Sequence, residues 1–379
     1  MMSSEDPDNK SSCITYAYIH NNIFWKRQRI VVIPACNEEQ HITSCLLALA
    51  AQFLALPHKV ILWINNTIDQ TYERASSLQD KLPFTLEIIS VTYDPAIANA
   101  GTARREAMAY AAQNAQQDAL LFTTDADGEV AKDWIYQTLE AFTQYHVEAV
   151  FGRTLLLPSE YAQIPLRLHE DERAEQAYGA LLDQITLLLD PQPHDPWPRH
   201  IEHSGASIAV THQAWRQAGG IPDIASGEDR LFYKALRQNS IRVRHAPDVI
   251  VYVSARLLGR AQGGMAETLA RRMIAQDKYI DDAFETVSSR LLRVRRELAD
   301  RRANPLSPIS KVSACPPFPR ILREDLPKHY QRALRVLNFL HHTEYCLSEG
   351  GHHVSTDQCG IPSRVHYNLG ANAALDRPE

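Results

Sequence analysis

Short apolar runs alternate with amphipathic stretches from residue 29 onward. Residues 29–34 (RIVVIP) predict a buried strand closed by Pro34. Residues 38–53 predict a helix with Ile42, Leu46, Leu49 and Phe53 on one face. A second strand follows over 59–64, then the polar loop Asn65-Asn66-Thr67 and a helix starting near Gln70. Further strands are expected at 84–91, 119–124 and 149–152, with helices at 100–115 and 134–145 between them. Strands that are apolar throughout are buried on both faces, and helices between them cover those faces. The expectation is an α/β domain with a mostly parallel twisted sheet flanked by helices.

The alternation loosens beyond Tyr161. Residues 166–189 predict a long helix, 190–199 a Pro-rich loop, and 206–210 a short apolar run. Residues 213–218 and 227–238 predict helices, with two short strands at 241–243 and 249–252. After Gly263-Gly264 only helical patterns remain, interrupted by the Pro-rich stretch 303–319. The last helix, 326–347, carries a stripe of Leu334, Leu337 and Leu340 to bury. This predicts a polar leader over 1–23, a catalytic domain over 24–262, and a helical C-terminal extension over 263–379 with a loose tail.

Composition narrows the class. The 379 residues are 45% hydrophobic and 22% charged, so the chain can build a core. A net charge of −6 argues against a general nucleic-acid binder. Six scattered cysteines without a CxxC pair read as free thiols, and with them a cytoplasmic protein. The polar, acidic start lacks the features of a signal peptide. The longest apolar stretch, 46–56, is broken by Gln52 and falls short of the roughly 20 residues a membrane span needs. No transmembrane segment is expected; peripheral membrane contact stays open.

Several chemistries lose their support. GxxxxGK[ST], HExxH and GxSxG are absent, and no GxGxxG follows the first strand. What remains is polar residues at predicted strand ends, where open α/β sheets bind ligands. Asp125-Ala126-Asp127-Gly128 places two carboxylates at the mouth of a buried strand. That suits Mg²⁺ or Mn²⁺, although Asp and Gly also make ordinary turns. Gly227-Glu228-Asp229 opens a helix, where acids either complement the helix dipole or serve as a general base. Asn99-Ala100-Gly101-Thr102-Ala103-Arg104 starts another helix, a place for an anion or simply a cap.

Taken in order, these pieces resemble the family 2 glycosyltransferases of the GT-A fold. The resemblance covers roughly residues 28–255, through Pro34-Ala35-Cys36-Asn37-Glu38, Asn65-Asn66-Thr67-Ile68-Asp69, Asn99-x-Gly101-x-Ala-Arg104, Asp125-x-Asp127 and Gly227-Glu228-Asp229. It implies that Pro34, Ala35, Asn37 and Glu38 receive the nucleoside of a nucleoside-diphosphate sugar. Asn66 stands where the family often has an Asp contacting the base. Gly101 and Arg104 match the segment near the diphosphate. Asp125 and Asp127 match the DxD motif that holds a divalent cation, Mn²⁺ or Mg²⁺, on the diphosphate. Asp229 matches the base that deprotonates the acceptor hydroxyl in inverting members, with Glu228 beside it. The implied reaction is a metal-assisted direct displacement that moves the sugar to an acceptor hydroxyl. Two alternatives are a nucleotidyltransferase and a sugar-nucleotide-binding protein without activity. The acidic loop after the first strand suits a triphosphate poorly, and the intact acids count against the second.

Other features carry less. Arg256 and Arg260 flank a stretch that could fold over a diphosphate or sit at a solvated loop-to-helix junction. His203 and His245 are candidates for a further metal ligand, or structural histidines. His341, His342, Cys346, His352, His353 and Cys359 have zinc-compatible types in no defensible spacing. The arginines of 290–302 read as a solvated helix face, with docking on anionic lipid as the alternative.

Overall fold

The computed structural model describes residues 23–256, 272–273, 278–281, 284–303 and 319–348, with side chains described only to residue 343 in the last stretch. Its centre is an eight-stranded sheet in the order β3-β2-β1-β4-β7-β6-β8-β5. The strands are β1 Arg29–Ala35, β2 Lys59–Asn65, β3 Thr85–Val91, β4 Leu120–Thr123, β5 Gly128–Val130, β6 Ala149–Leu156, β7 Ile208–Thr211 and β8 Val243–Val253. The helices used below are α1 Ile42–Ala50, α2 Ala100–Gln113, α3 Trp134–Tyr145, α4 Leu166–Leu189, α5 Glu228–Gln238, α6 Val287–Ala303 and α7 Leu326–Ser348.

The apolar strands are explained by the two faces they serve. In β1, Val31 and Ile33 join a core with Ile42, Leu46 and Leu49 of α1 and Trp134, Leu139 and Phe142 of α3. Ile30 and Val32 point the other way, into a core with Ala103, Ala107, Met108 and Ala111 of α2. Strands β3, β2, β1 and β4 are parallel neighbours, as expected.

The far half of the sheet departs from that pattern. β7 is antiparallel to both β4 and β6, and β5 is antiparallel to β8. Both reversed strands are very short, which removes the periodicity that would reveal them. The two strands expected at 241–243 and 249–252 form one strand, β8, whose pairing with β6 shifts register between Gly152 and Arg153. A Cβ at Gly152 would come 2.5 Å from the Val249 carbonyl oxygen, so this irregularity needs a glycine. The helix expected from residue 38 begins only at Ile42, because residues 37–41 form a turn that opens with Asn37 at φ 55°.

The C-terminal extension corrects two expectations. The arginines of 290–302 divide: Arg295, Arg296 and Arg302 are exposed, as a solvated face requires, whereas Arg290 and Arg293 are not. Arg290 is buried on α4, facing Asp183 at 3.4 Å, and Arg293 pairs with Glu285 at 2.8 Å. The buried positions of α7 are Leu326, Ala333 and Leu337, while Leu334 is only half-buried. That stripe follows the helical period rather than steps of three. The chain divides into two compact units, the first ending at Leu337 and the second beginning at Asn338. The stretch 304–318 and Gly263-Gly264 lie outside the described residues. None of the described helices is long and apolar enough to cross a membrane.

Candidate active site

The ends of β1, β2 and β4 carry the polar turns, and hydrogen bonds tie those turns together. After β1, Pro34 and Ala35 complete the strand, pairing with Trp63 and Ile64 of β2. Asn37 accepts a hydrogen bond from the Ile68 backbone N–H at 2.8 Å. The backbone N–H of Glu38 donates to Thr71 at 2.7 Å. These bonds fasten the first strand-end turn to the second. Asn66, with φ 46°, spends its side chain on the backbone of Tyr93, donating to the carbonyl at 2.9 Å and accepting from the N–H at 3.0 Å. Its carboxamide therefore braces the turn after β2 against the chain leaving β3.

Arg104 is the organising residue. It sits in the first turns of α2, a helix capped by Asn99, whose side chain accepts from Thr102 N–H at 2.8 Å. The guanidinium is buried and uses all three nitrogens. It donates to Asp125 at 2.6 Å, Glu228 at 3.0 Å, Thr123 at 3.0 Å and the Gly205 carbonyl at 2.8 Å. Burial opposes its charge, yet Asp125 and Glu228 outweigh that and hold it more firmly protonated than usual. The structure thus places Arg104 beneath the strand end, engaged with the chain's own groups.

Two glycines make this possible. A Cβ on Gly205 would lie 2.6 Å from the Arg104 guanidinium carbon. A Cβ on Gly101 would lie 2.1 Å from the Ile224 carbonyl oxygen. Gly101 therefore serves the approach of the 224–225 backbone to α2, just ahead of Glu228 and Asp229.

The three acids at the site have different environments. Glu228 is buried and committed to Arg104. Asp229 is half-buried and accepts from the backbone N–H of Gly205 at 2.9 Å and of Arg230 at 2.7 Å. Burial, then the neighbouring Glu228, raise its pKa above the ordinary carboxylate range, with Arg104 opposing. Asp127 is pushed up to about 7 by burial and by Asp125, with Arg256 opposing. Arg256, just past β8, donates to both oxygens of Glu38 at 2.9 and 3.0 Å and pairs with Asp127 at 2.8 Å. Arg260 lies outside the described residues.

The donor set can be tested against a divalent cation. Asp125 and Asp127 offer hard carboxylate oxygens at a strand end. Among the described residues no group of three or more His, Cys, Asp and Glu gathers to cage a metal. Two carboxylates without a cage suit a hard cation that completes its shell with substrate phosphate and water. On that chemistry the residues fit.

His203 and His245 are not at this pair. His245 is buried, its Nδ1 at 2.7 Å from Asp195, and its Nε2 meets Nε2 of His203 at 3.1 Å. Asp195 is held well below the usual carboxylate range: burial opposes this, but His245 and Arg199 prevail. Burial lowers the pKa of His203 to about 2 and of His200 to about 3, with His245 reinforcing both. The cluster is a largely buried polar knot against Tyr233, whose ring lies tilted over that of His203 with centroids 3.9 Å apart.

Gly205 and Thr123 escaped sequence reasoning as site-forming residues. Thr123 stands two residues before Asp125, and Gly205 is an isolated loop glycine before an apolar run. Neither type signals chemistry, since what matters is a backbone carbonyl and a hydroxyl aimed at Arg104.

No curated protein matches the sequence. Among solved structures, the chain is similar to Staphylococcus aureus TarS residues 1–349 in complex with UDP-GlcNAc, at 16% identity over 82% of this chain and 80% of that chain, TM-score 0.46. It is also similar to a Pyrobaculum calidifontis mannosyltransferase in complex with GDP-Man and Mn²⁺, at 16% identity over 91% and 85%, TM-score 0.43. A third is glucosyl-3-phosphoglycerate synthase from Mycobacterium tuberculosis in complex with Mn²⁺, UDP and phosphoglyceric acid, at 14% identity over 67% and 81%, TM-score 0.39. The family model described as Glycosyl transferase family 2 matches residues 30–193, from β1 through Asp125 and Asp127 to just past the end of α4. Residues 30–193 are a family 2 glycosyltransferase domain, and the chain is a glycosyltransferase enzyme built on it.

Proposed function

We propose that the chain transfers a sugar from a nucleoside-diphosphate sugar to an acceptor hydroxyl by direct displacement, with Asp229 as the base. The observation that carries this reading is the placement of Asp229. It is half-buried at the start of α5, aimed by two backbone N–H groups, and joined through Gly205 and Arg104 to Asp125.

The nucleoside enters at the turns after β1 and β2, formed by Pro34, Ala35, Asn37, Glu38 and Asn66. Asn66 shapes this wall through Tyr93, so base selection falls on neighbouring backbone as much as on its carboxamide. The diphosphate lies over the Asp125–Asp127 turn. A divalent cation, Mn²⁺ or Mg²⁺, held there by Asp125 and Asp127 would neutralise charge developing on the leaving diphosphate. Arg104 contributes indirectly: it fixes the Asp125 carboxylate and holds Glu228, so that Asp229 faces the acceptor. Gly101 sets the spacing that allows this.

The acceptor hydroxyl gives its proton to a carboxylate oxygen of Asp229 as its oxygen attacks the anomeric carbon. The bond from that carbon to the phosphate oxygen breaks, and its electron pair leaves with the diphosphate. One attack from the opposite face inverts the anomeric centre. A pKa above the normal carboxylate range makes Asp229 a better proton acceptor than an exposed aspartate.

A panel of UDP- and GDP-sugars incubated with Mn²⁺ tests the reading, with water serving as the acceptor. At least one donor is expected to release its nucleoside diphosphate. Asp229→Asn should slow that release by about 10²-fold or more, the usual scale for a general base, while still binding the donor. Release unchanged in Asp229→Asn would move the base elsewhere.

A further inference from the structure

We propose that Arg256 is a resident counter-cation that occupies the Asp127 carboxylate until a nucleoside diphosphate arrives. The divalent cation then binds together with the diphosphate and not before it. This rests on the metal reading above and adds an order of binding to it.

The two arginines of the site differ in how they are held. Arg104 is locked by four contacts, one to a backbone carbonyl and one to a buried threonine, and its side chain is only 6% exposed. Arg256 is 22% exposed, and its guanidinium meets only carboxylates among the described residues, Glu38 and Asp127. The backbone beneath it is fixed: Ser254 Oγ donates to Glu160 at 2.9 Å, and the Ala255 N–H donates to the same carboxylate. Arg256 is therefore a charged arm on a firm base whose partners are all anions.

One of those anions, Asp127, is a carboxylate that the proposed divalent cation would use. Glu38 is buried, and with Asp125 and Asp127 it makes an acidic group in which Arg104 answers Asp125 and Arg256 answers the other two. A metal ion on Asp127 would stand against a guanidinium 2.8 Å from the same carboxylate. The two positive charges would then share one partly exposed carboxylate, and they repel. One must leave. A diphosphate changes the balance, because two of its oxygens can meet the planar guanidinium of Arg256 as the two oxygens of Glu38 do. The arginine can then turn from Asp127 to phosphate, and the carboxylate becomes available. Diphosphate and metal are thereby coupled, and the coupling is reciprocal.

Mn²⁺ binding by the full chain tests this without any activity assay. Mn²⁺ alone is titrated into the wild type, Arg256→Gln, Arg256→Lys and Asp127→Ala by calorimetry, then again with saturating UDP or GDP. Without nucleotide, Arg256→Gln should bind Mn²⁺ at least about tenfold tighter than the wild type. The wild type should gain at least about tenfold on adding whichever nucleotide binds, and Arg256→Gln should gain less. Arg256→Lys keeps the charge but cannot span both carboxylates, so it should fall between; it carries the test if the glutamine variant folds poorly. Asp127→Ala should bind Mn²⁺ in neither condition. Equal affinity of the wild type and both Arg256 variants for Mn²⁺ alone would overturn the inference while leaving the metal reading intact. No Mn²⁺ binding by any variant, with or without nucleotide, would overturn both.

Discussion

At the residue scale the site is built from acids whose environments assign them different work. Glu228 and Asp229 are adjacent in sequence, yet Glu228 is buried against Arg104 while Asp229 keeps a half-exposed carboxylate held by backbone N–H groups. The base must be ionised to act. Because burial raises the Asp229 pKa, the acid limb of kcat/KM for donor turnover should sit above the ordinary carboxylate range, with activity full at higher pH and lost as pH falls through it. A pH–rate profile with its acid limb near 4, the value of a free aspartate, would separate Asp229 from the base role. A second residue-scale prediction concerns Gly101. Its Cβ would strike the Ile224 carbonyl at 2.1 Å, and backbone cannot yield as a flexible side chain can. Gly101→Ala should cost about 1–3 kcal/mol in urea unfolding, the range for overpacking. It should also weaken turnover, since the displaced 224–225 stretch leads directly into Glu228 and Asp229.

At the element scale, charge does what apolar packing does in the sheet. Helix α4 carries Asp183 and Glu175 at buried positions, and each is met by more than one arginine. Asp183 receives Arg199 at 3.0 Å and Arg290 of α6 at 3.4 Å. Glu175 receives Arg323 at 2.8 Å and Arg272 at 3.4 Å. Removing one partner from such a pair strands the other in a low-dielectric setting, so Asp183→Ala should lose about 3–5 kcal/mol in denaturant unfolding. A loss below about 1 kcal/mol would show that these pairs behave as surface bridges. These same elements explain what could and could not be read from the sequence. The boundaries of α3 and α4 were legible because each is a long amphipathic or continuous segment with clear breaks. β5 and β7 were not, because three or four residues carry no period. Only Arg290 and Arg293 of α6 depart from a solvated face, and their partners Asp183 on α4 and Glu285 ahead of the helix could not be seen in a pattern that reports near neighbours on one helix.

At the scale of the whole molecule, the polar turns found in the sequence do converge, but through intermediaries the sequence did not name. Asn37 meets the second turn through Ile68, Glu38 meets Asp127 through Arg256, and Asp125 meets Glu228 through Arg104. Motif reading located the acids because acids at strand ends are chemically conspicuous. It missed Gly205 and could not show the contacts of Arg104 and Asn66, since those depend on which backbone atoms the tertiary fold brings near. On the proposed function, this convergence binds a nucleoside diphosphate with a divalent cation on Asp125 and Asp127. Calorimetric titration of UDP and GDP into the full chain, in Mn²⁺ and in EDTA, tests it most directly. At least one of the two should bind in Mn²⁺ and lose at least about tenfold in EDTA, which is about 1.4 kcal/mol. Failure of both to bind in Mn²⁺, or an affinity that EDTA leaves unchanged, would contradict it.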